Sequence, residues 1–306
     1  MTTLTGPSAS PFHSGEQAIH QRLGIGPQVE QLGRRMIRDH LPEQHQQFYR
    51  QLPYLVVGSS DTNGQPSASL LTGPAGFITM PDATTMTIAA TPFPGDLLND
   101  NLGVGATLGL LGIDLSARRR NRANGRINRL GSGNDGFSLT IDQAFGNCPQ
   151  YITPRDIETA TAQMTHAAWD QPITTPHLCA SDQLMISSAD TFFIASHRAG
   201  SGDDPTSGTD VSHRGGEPGF VTVEDHSTLI IPDYAGNMHF NTLGNLTENP
   251  QAGLLFVDFE TGNYLQLSGA IKIIWSGDEL AQFAGAERLL RFTLKCAVSV
   301  GLSRWD

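Results

Sequence analysis

One feature constrains this chain more than any other: it contains itself twice. Gly73-Pro-Ala-Gly-Phe-Ile-Thr79 aligns with Gly216-Glu-Pro-Gly-Phe-Val-Thr222 at an offset of 143 residues. Met86-Thr-Ile-Ala-Ala90 aligns with Leu229-Ile-Ile-Pro-Asp233 at the same offset. Gly109-Leu-Leu-Gly-Ile-Asp114 aligns with Gly253-Leu-Leu-Phe-Val-Asp258, and Asn124-Gly-Arg-Ile127 with Ser268-Gly-Ala-Ile271, both at 144. Four blocks in order at a nearly constant offset mark an internal duplication. Its period is that of a whole domain, too long for a solenoid. A chain of 306 residues carries a prior of two domains, which agrees.

Within each copy the pattern is strand, Gly/Pro turn, strand, short helix, strand, turn, strand. Runs such as Leu229-Ile-Ile and Leu254-Leu-Phe-Val-Asp-Phe259 are β-branched, aliphatic or aromatic, and Gly, Pro, Asn or Asp bound them. Asp61-Thr-Asn-Gly64 reads as the first hairpin turn, with Asn-Gly supplying positive φ angles. The matching loop of the second copy, 200–208, is longer and polar. Helices are expected around the strands: one from an N-capping Ser14 to Leu23, then Pro27–His40, Pro42–Gln51, Pro154–Ala168, Ser181–Ser188 and a closing helix Asp278–Leu289, followed by a last strand Arg291–Ser299. Residues 1–12 read as a disordered tip.

The two copies resemble the split β-barrel of the pyridoxamine 5′-phosphate oxidase-related flavin-binding superfamily. Asp210-Val-Ser-His-Arg214, Phe240-Asn-Thr-Leu-Gly-Asn245 and Asn249-Pro250 carry the resemblance, and Phe145-Gly-Asn-Cys-Pro-Gln-Tyr151 is similar to a segment of its tandem subgroup. It covers roughly residues 45–275. The expected fold is mainly β (α+β): two tandem split β-barrels with peripheral helices. The expected organisation is an N-terminal helical segment at 1–52, a first barrel at 53–152, a helical linker at 153–188, and a second barrel at 189–306 with its C-terminal helix and strand. In this family flavin lies between two barrels of a homodimer. A fused pair implies a pseudo-dimer within the chain; whether the chain itself pairs as a homodimer stays open.

The resemblance implies FMN as cofactor, and comparing the copies suggests where it binds. Arg214 stands where the first copy has Leu71, and Asn241 and Thr242 face Leu98 and Asn99. Phosphate needs N–H and O–H donors and positive charge, often at a helix start. Ser212, His213, Arg214, Asn241 and Thr242 are therefore candidates in the second copy. Arg118-Arg-Arg-Asn-Arg122 interrupts an acidic chain; guanidinium forks match phosphate oxygens. Strand alternation sends Arg118, Arg120 and Arg122 to one face. Arg119 and Arg120 are taken as the contribution of the first copy to a composite site. Asn147, Gln150 and Tyr151 are candidates for ring contacts, and Trp305 resembles the family's basic-aromatic ending near the flavin.

The implied function is a flavin-dependent oxidoreductase of unknown substrate and electron donor. The alternative is a non-catalytic flavin-, haem- or deazaflavin-binding or stress-related protein. Family members that oxidise pyridoxal vitamers carry a cationic signature before the helix; Phe240-Asn241-Thr242 has none, which argues against that activity. A net charge of −11 argues against nucleic acid or an acidic membrane as partner. Cys148, Cys179 and Cys296 show neither zinc nor disulfide spacing, and no metal site is expected. No basic leader precedes an apolar run, and no stretch is long enough to span a membrane, so the expected location is cytoplasmic. Nucleotide-fold, Walker, zinc-peptidase and serine-hydrolase motifs have no counterpart.

Overall fold

The computed structural model describes residues 9–131, 135–156, 172–200 and 204–300. Three helices lead in: α1 (Ser14–Arg22), α2 (Gly26–Met36) and α3 (Glu43–Gln51). The first copy then runs β1 (Tyr54–Ser60), β2 (Pro66–Thr72), β3 (Ile78–Thr79), β4 (Thr85–Ile88), α4 (Leu98–Asn101), β5 (Thr107–Asp114), β6 (Arg119–Leu130) and β7 (Phe137–Asn147). After β8 (Ile173–Thr175) and α5 (Ala180–Ser188) comes the second: β9 (Thr191–Arg198), β10 (Gly208–Gly215), β11 (Thr222–Val223), β12 (Thr228–Asp233), α6 (Asn241–Glu248), β13 (Gln251–Val257), β14 (Tyr264–Ile274) and β15 (Arg288–Val300).

The duplication is written into the pairing. One sheet has the order β2-β1-β5-β6-β7-β4-β3, and the other β10-β9-β13-β14-β15-β12-β11, the same path strand for strand. Registers repeat as well: Leu111 pairs with Arg122 and Leu255 with Gln266, and both long hairpins break register at the same glycine, Gly125 and Gly269. Turns repeat too. Asp82 accepts from the backbone and hydroxyl of Thr84, as Asp225 does from Ser227.

Alternation along the central strands builds three cores from two sheets. Leu55 and Val57 of β1 face the core of the first barrel, while Phe192 and Ile194 of β9 face that of the second. Their neighbours Tyr54, Val56, Phe193 and Ala195 point the other way, into a third core shared by both barrels with Leu111, Val211, Leu255 and Tyr264. Each large side chain buried there stabilises by roughly 1.5–3 kcal/mol, so the barrels are joined by a hydrophobic interface. Two glycines set its closeness. A Cβ on Gly109 would meet Thr209 O and Asp210 Cα; one on Gly253 would meet Pro66 O and Ser67 Cα. These partners differ by 143 residues, so the contact obeys a pseudo-twofold axis.

Several local expectations are corrected. The cap of α1 is His13, whose ring accepts from Gly15 N, and not Ser14. The helix α2 ends at Met36, with Ile37 already extended. Only Gly64 has positive φ in the first hairpin; Asp61 closes that turn by accepting from Asn63 N and Gln65 N. The closing helix is a single 3-10 turn at Leu280–Gln282, because Arg288–Leu290 are already paired to β12 and β14. The helix expected at Pro154–Ala168 lies mostly outside the described residues, as do residues 1–8 of the tip expected to be disordered at 1–12 and part of the 200–208 loop. The end of that tip is ordered instead, with Phe12 buried against His20 and His239.

Candidate functional site

A cleft opens where β6 of the first barrel meets β10, the 234–240 loop and the start of α6. Its walls include Arg120 and Arg122 from the first copy and Ser212, His213, Arg214 and Thr242 from the second. Alternation explains the arginines. Arg120 and Arg122 share a face of β6 and point into the cleft; Arg119 points away, its guanidinium over the Phe48 ring and donating to Gln44 O at 3.2 Å. Arg119 therefore does not line this cleft, and Arg122 stands beside Arg120 in its wall. Arg118 sits in the turn with φ 50° and does not join them.

Arg120 donates from Nε to Cys148 O at 2.8 Å and from Nη1 to His213 Nδ1 at 2.7 Å. Guanidinium only donates, so His213 accepts at Nδ1 and is the neutral Nε2–H tautomer. Burial, then Arg120 and Arg214, hold the His213 pKa well below the usual histidine range. Burial and neighbouring Arg214 also lower Arg120, to about 10. Arg122 donates to Ser212 Oγ and, at 3.0 Å, to Asp210 Oδ1. Ser212 Oγ lies 3.0 Å from Thr242 Oγ1. Arg214 is paired with Asp233, which also faces Arg288 at 3.5 Å.

The helix start is unusual. Phe240 before α6 is left-handed, with φ 60°, and no side chain caps the helix. Its first amides therefore lack intrahelical acceptors. Asn241 turns its amide away, donating to Glu16 Oε1 at 2.5 Å, while Gly244 packs against α1 backbone. Burial, with Asp210 adding to it, raises the Glu16 pKa well above the carboxylate range. Gln150 reaches the site through its backbone oxygen, which accepts from Arg120 at 3.4 Å. Tyr151, left-handed at φ 63°, stacks on Tyr234 at 5.6 Å beside the mouth. Trp305 lies outside the described residues. Sequence reasoning missed Asp233 and Tyr234 in the wall, at the end of β12 and in the loop after it, and Arg288, which is paired with Asp233 across the sheet.

What the site offers is donors. The Nε atoms of Arg122 and Arg214, Nε2 of His213 and Nδ2 of Asn147 are buried without a partner. An unpartnered buried donor costs about 1–3 kcal/mol, and an oxyanion would remove that cost at several positions together. The two nearby carboxylates, Asp210 and Asp233, are already tied to guanidinium groups. The cleft encloses about 110 Å3, far below the roughly 300–1,000 Å3 of a site for a whole organic ligand. That space is on the scale of a small oxyanion such as phosphate, and the stacked tyrosines stand beside its mouth. Among the described residues there is no cluster of three or more His, Cys, Asp or Glu able to hold a metal, and no helix long and apolar enough to cross a membrane.

Residues 183–297 match the family model described as pyridoxamine 5′-phosphate oxidase. No curated protein matches the chain. Solved structures similar to one barrel's worth of it include HupZ of Group A Streptococcus, at 13% identity over 38% of this chain and 90% of that one, TM-score 0.30. An FMN-binding protein of Syntrophomonas wolfei aligns at 11% identity over 40% and 84%, TM-score 0.30. HutZ, the haem storage protein of Vibrio cholerae, aligns at 14% identity over 38% and 87%, TM-score 0.26. Residues 183–297 thus match the pyridoxamine 5′-phosphate oxidase family, and the first copy repeats their strand order, giving two split barrels in tandem.

Proposed function

We propose that the chain binds FMN non-covalently in the cleft between its barrels and serves as a flavin-dependent oxidoreductase. The observation that carries this reading is the convergence of Arg120 and Arg122 from one copy with Ser212, Arg214 and the uncapped start of α6 from the other. These residues fit a phosphate: unpartnered donors and excess positive charge face an open cleft of phosphate size. The cation missing from Phe240-Asn241-Thr242 is replaced by Arg122, supplied across the interface. Bound flavin would supply hydride or electron transfer. The chain's own groups bind and orient. Neutral His213 donates from Nε2, and the arginines fix the head group. Asp210 and Asp233 are engaged, so neither is free as a base.

The test is a visible spectrum of the purified protein with parallel titrations of FMN and riboflavin. Flavin bands with FMN bound far more tightly than riboflavin support the reading. A Soret band, or no chromophore and no FMN uptake, overturns it. Turnover with NAD(P)H then separates an enzyme from a carrier.

A further inference from the structure

The two barrels contain the same seat for an anion, and one of them is already filled from within. In the first barrel Asp96 is buried. Its Oδ1 accepts from Ser69 Oγ at 2.6 Å and from Leu98 N, the first residue of α4, at 2.8 Å. Its Oδ2 faces Tyr264 OH at 3.4 Å. Gln266 Nε2 donates to Ser69 Oγ at 3.0 Å, so Ser69 accepts from Gln266 and gives its own proton to Asp96.

Each of these groups has a counterpart through the repeat. Ser69 corresponds to Ser212, Leu98 to Asn241, Tyr264 to Arg120 and Gln266 to Arg122. The geometry follows the correspondence: Arg122 donates to Ser212 as Gln266 does to Ser69. Only the occupant differs. Asp96 corresponds to His239, which is turned between the Phe12 and Phe145 rings. The second seat thus keeps the hydroxyl and the helix start, exchanges two neutral donors for guanidinium groups, and has no carboxylate at the Asp96 position. A helix start alone would say little. Here Arg122, 3% exposed with Nε unpartnered, and His213, 6% exposed with Nε2 unpartnered, stand on the wall of the same cleft.

We infer that Asp96 is the built-in occupant of the first seat, and that the second seat takes an external oxyanion of the phosphate class. Ser212 Oγ, the first amides of α6, Arg120 and Arg122 hold it. Of these two seats, one is therefore open to solution. A seat served by neutral donors suits one carboxylate; a seat with two guanidinium groups suits a more highly charged head. This shares its site with the proposed function, yet it is tested with phosphate alone and stands or falls separately.

Inorganic phosphate is titrated into the full chain by calorimetry. One phosphate per wild-type chain is expected, with affinity lost about tenfold to hundredfold in Ser212→Ala, the range for a hydrogen bond to a charged group. Formate, the head group of Asp96, should raise the melting temperature of Asp96→Ala and leave the wild type unchanged. Two phosphates per wild-type chain, no phosphate at all, or undiminished binding by Ser212→Ala overturns the inference. If Asp96→Ala does not fold, the wild-type stoichiometry and the Ser212 variant decide it. Phosphate bound once while FMN is not bound keeps this inference and removes the flavin reading.

Discussion

Arg122 and Gln266 occupy one position of the repeat, each opposite a leucine in its hairpin and each reaching out of its own barrel to a serine of the other. One is charged with an unpartnered donor beside a cleft; the other is neutral and donates to Ala68 O and Ser69 Oγ beneath Asp96. The asymmetry of the molecule is concentrated in that pair.

Arg122→Gln places the residue of the filled seat into the open one. FMN affinity should fall about tenfold to hundredfold, since hydrogen bonds to charged groups are worth roughly 1.5–3 kcal/mol, and riboflavin binding should hardly change. Flavin fluorescence titration measures both. Equal losses for the two ligands would place Arg122 away from the phosphate.

Neighbouring arginines should behave oppositely. Arg120→Gln should weaken FMN and flatten the salt dependence of its binding, because charges within about 8 Å of the phosphate escape full screening. Arg119→Gln should change neither, as its guanidinium lies over Phe48. A weaker affinity in the Arg119 variant would contradict the strand parity.

Gly253→Ala should destabilise the fold by about 1–3 kcal/mol, the range for overpacking, because its Cβ meets backbone of β2. Gly236 has open space around its Cβ position, and Gly236→Ala should leave the melting temperature nearly unchanged. Similar melting temperatures for the two variants would mean that the barrels are not held at backbone contact.

Stability should fall on acidification below about pH 6.5, the ordinary histidine pKa. Burial lowers the pKa of His13, His20, His45, His197 and His213, and takes His239 to about 4. Below pH 6.5 the unfolded chain binds protons that these rings refuse in the fold, so stability is lost as pH drops. Glu16 and Asp96, raised by burial, act in the opposite sense but are two against six. Thermal unfolding from pH 7.5 to 5 in phosphate-free buffer checks the sign; a melting temperature that rises toward pH 5 would refute it.

The duplication was legible because its markers are local. Gly73 and Gly216 each lie against a phenylalanine four residues on, and Asp82 and Asp225 each close their own turn. Arg120 was legible as a cation near a strand start, and strand alternation puts Arg122, not Arg119, on its face. Glu279-Leu-Ala-Gln282 has helical propensity, yet the ladder of β15 claims the residues that a helix there would need. Asp96 and Arg288 were not legible: each is defined by a partner from a distant strand. The pairing of Arg214 with Asp233 has the same origin.

The fused interface through Gly109 and Gly253 has an evolutionary consequence. In a homodimer of identical barrels a single codon would specify both Arg122 and Gln266, and any change to one seat would be imposed on the other. Joining the copies in one gene removes that linkage. Each half could then mutate on its own, one retaining its cations and the other closing around a side chain that it already owned.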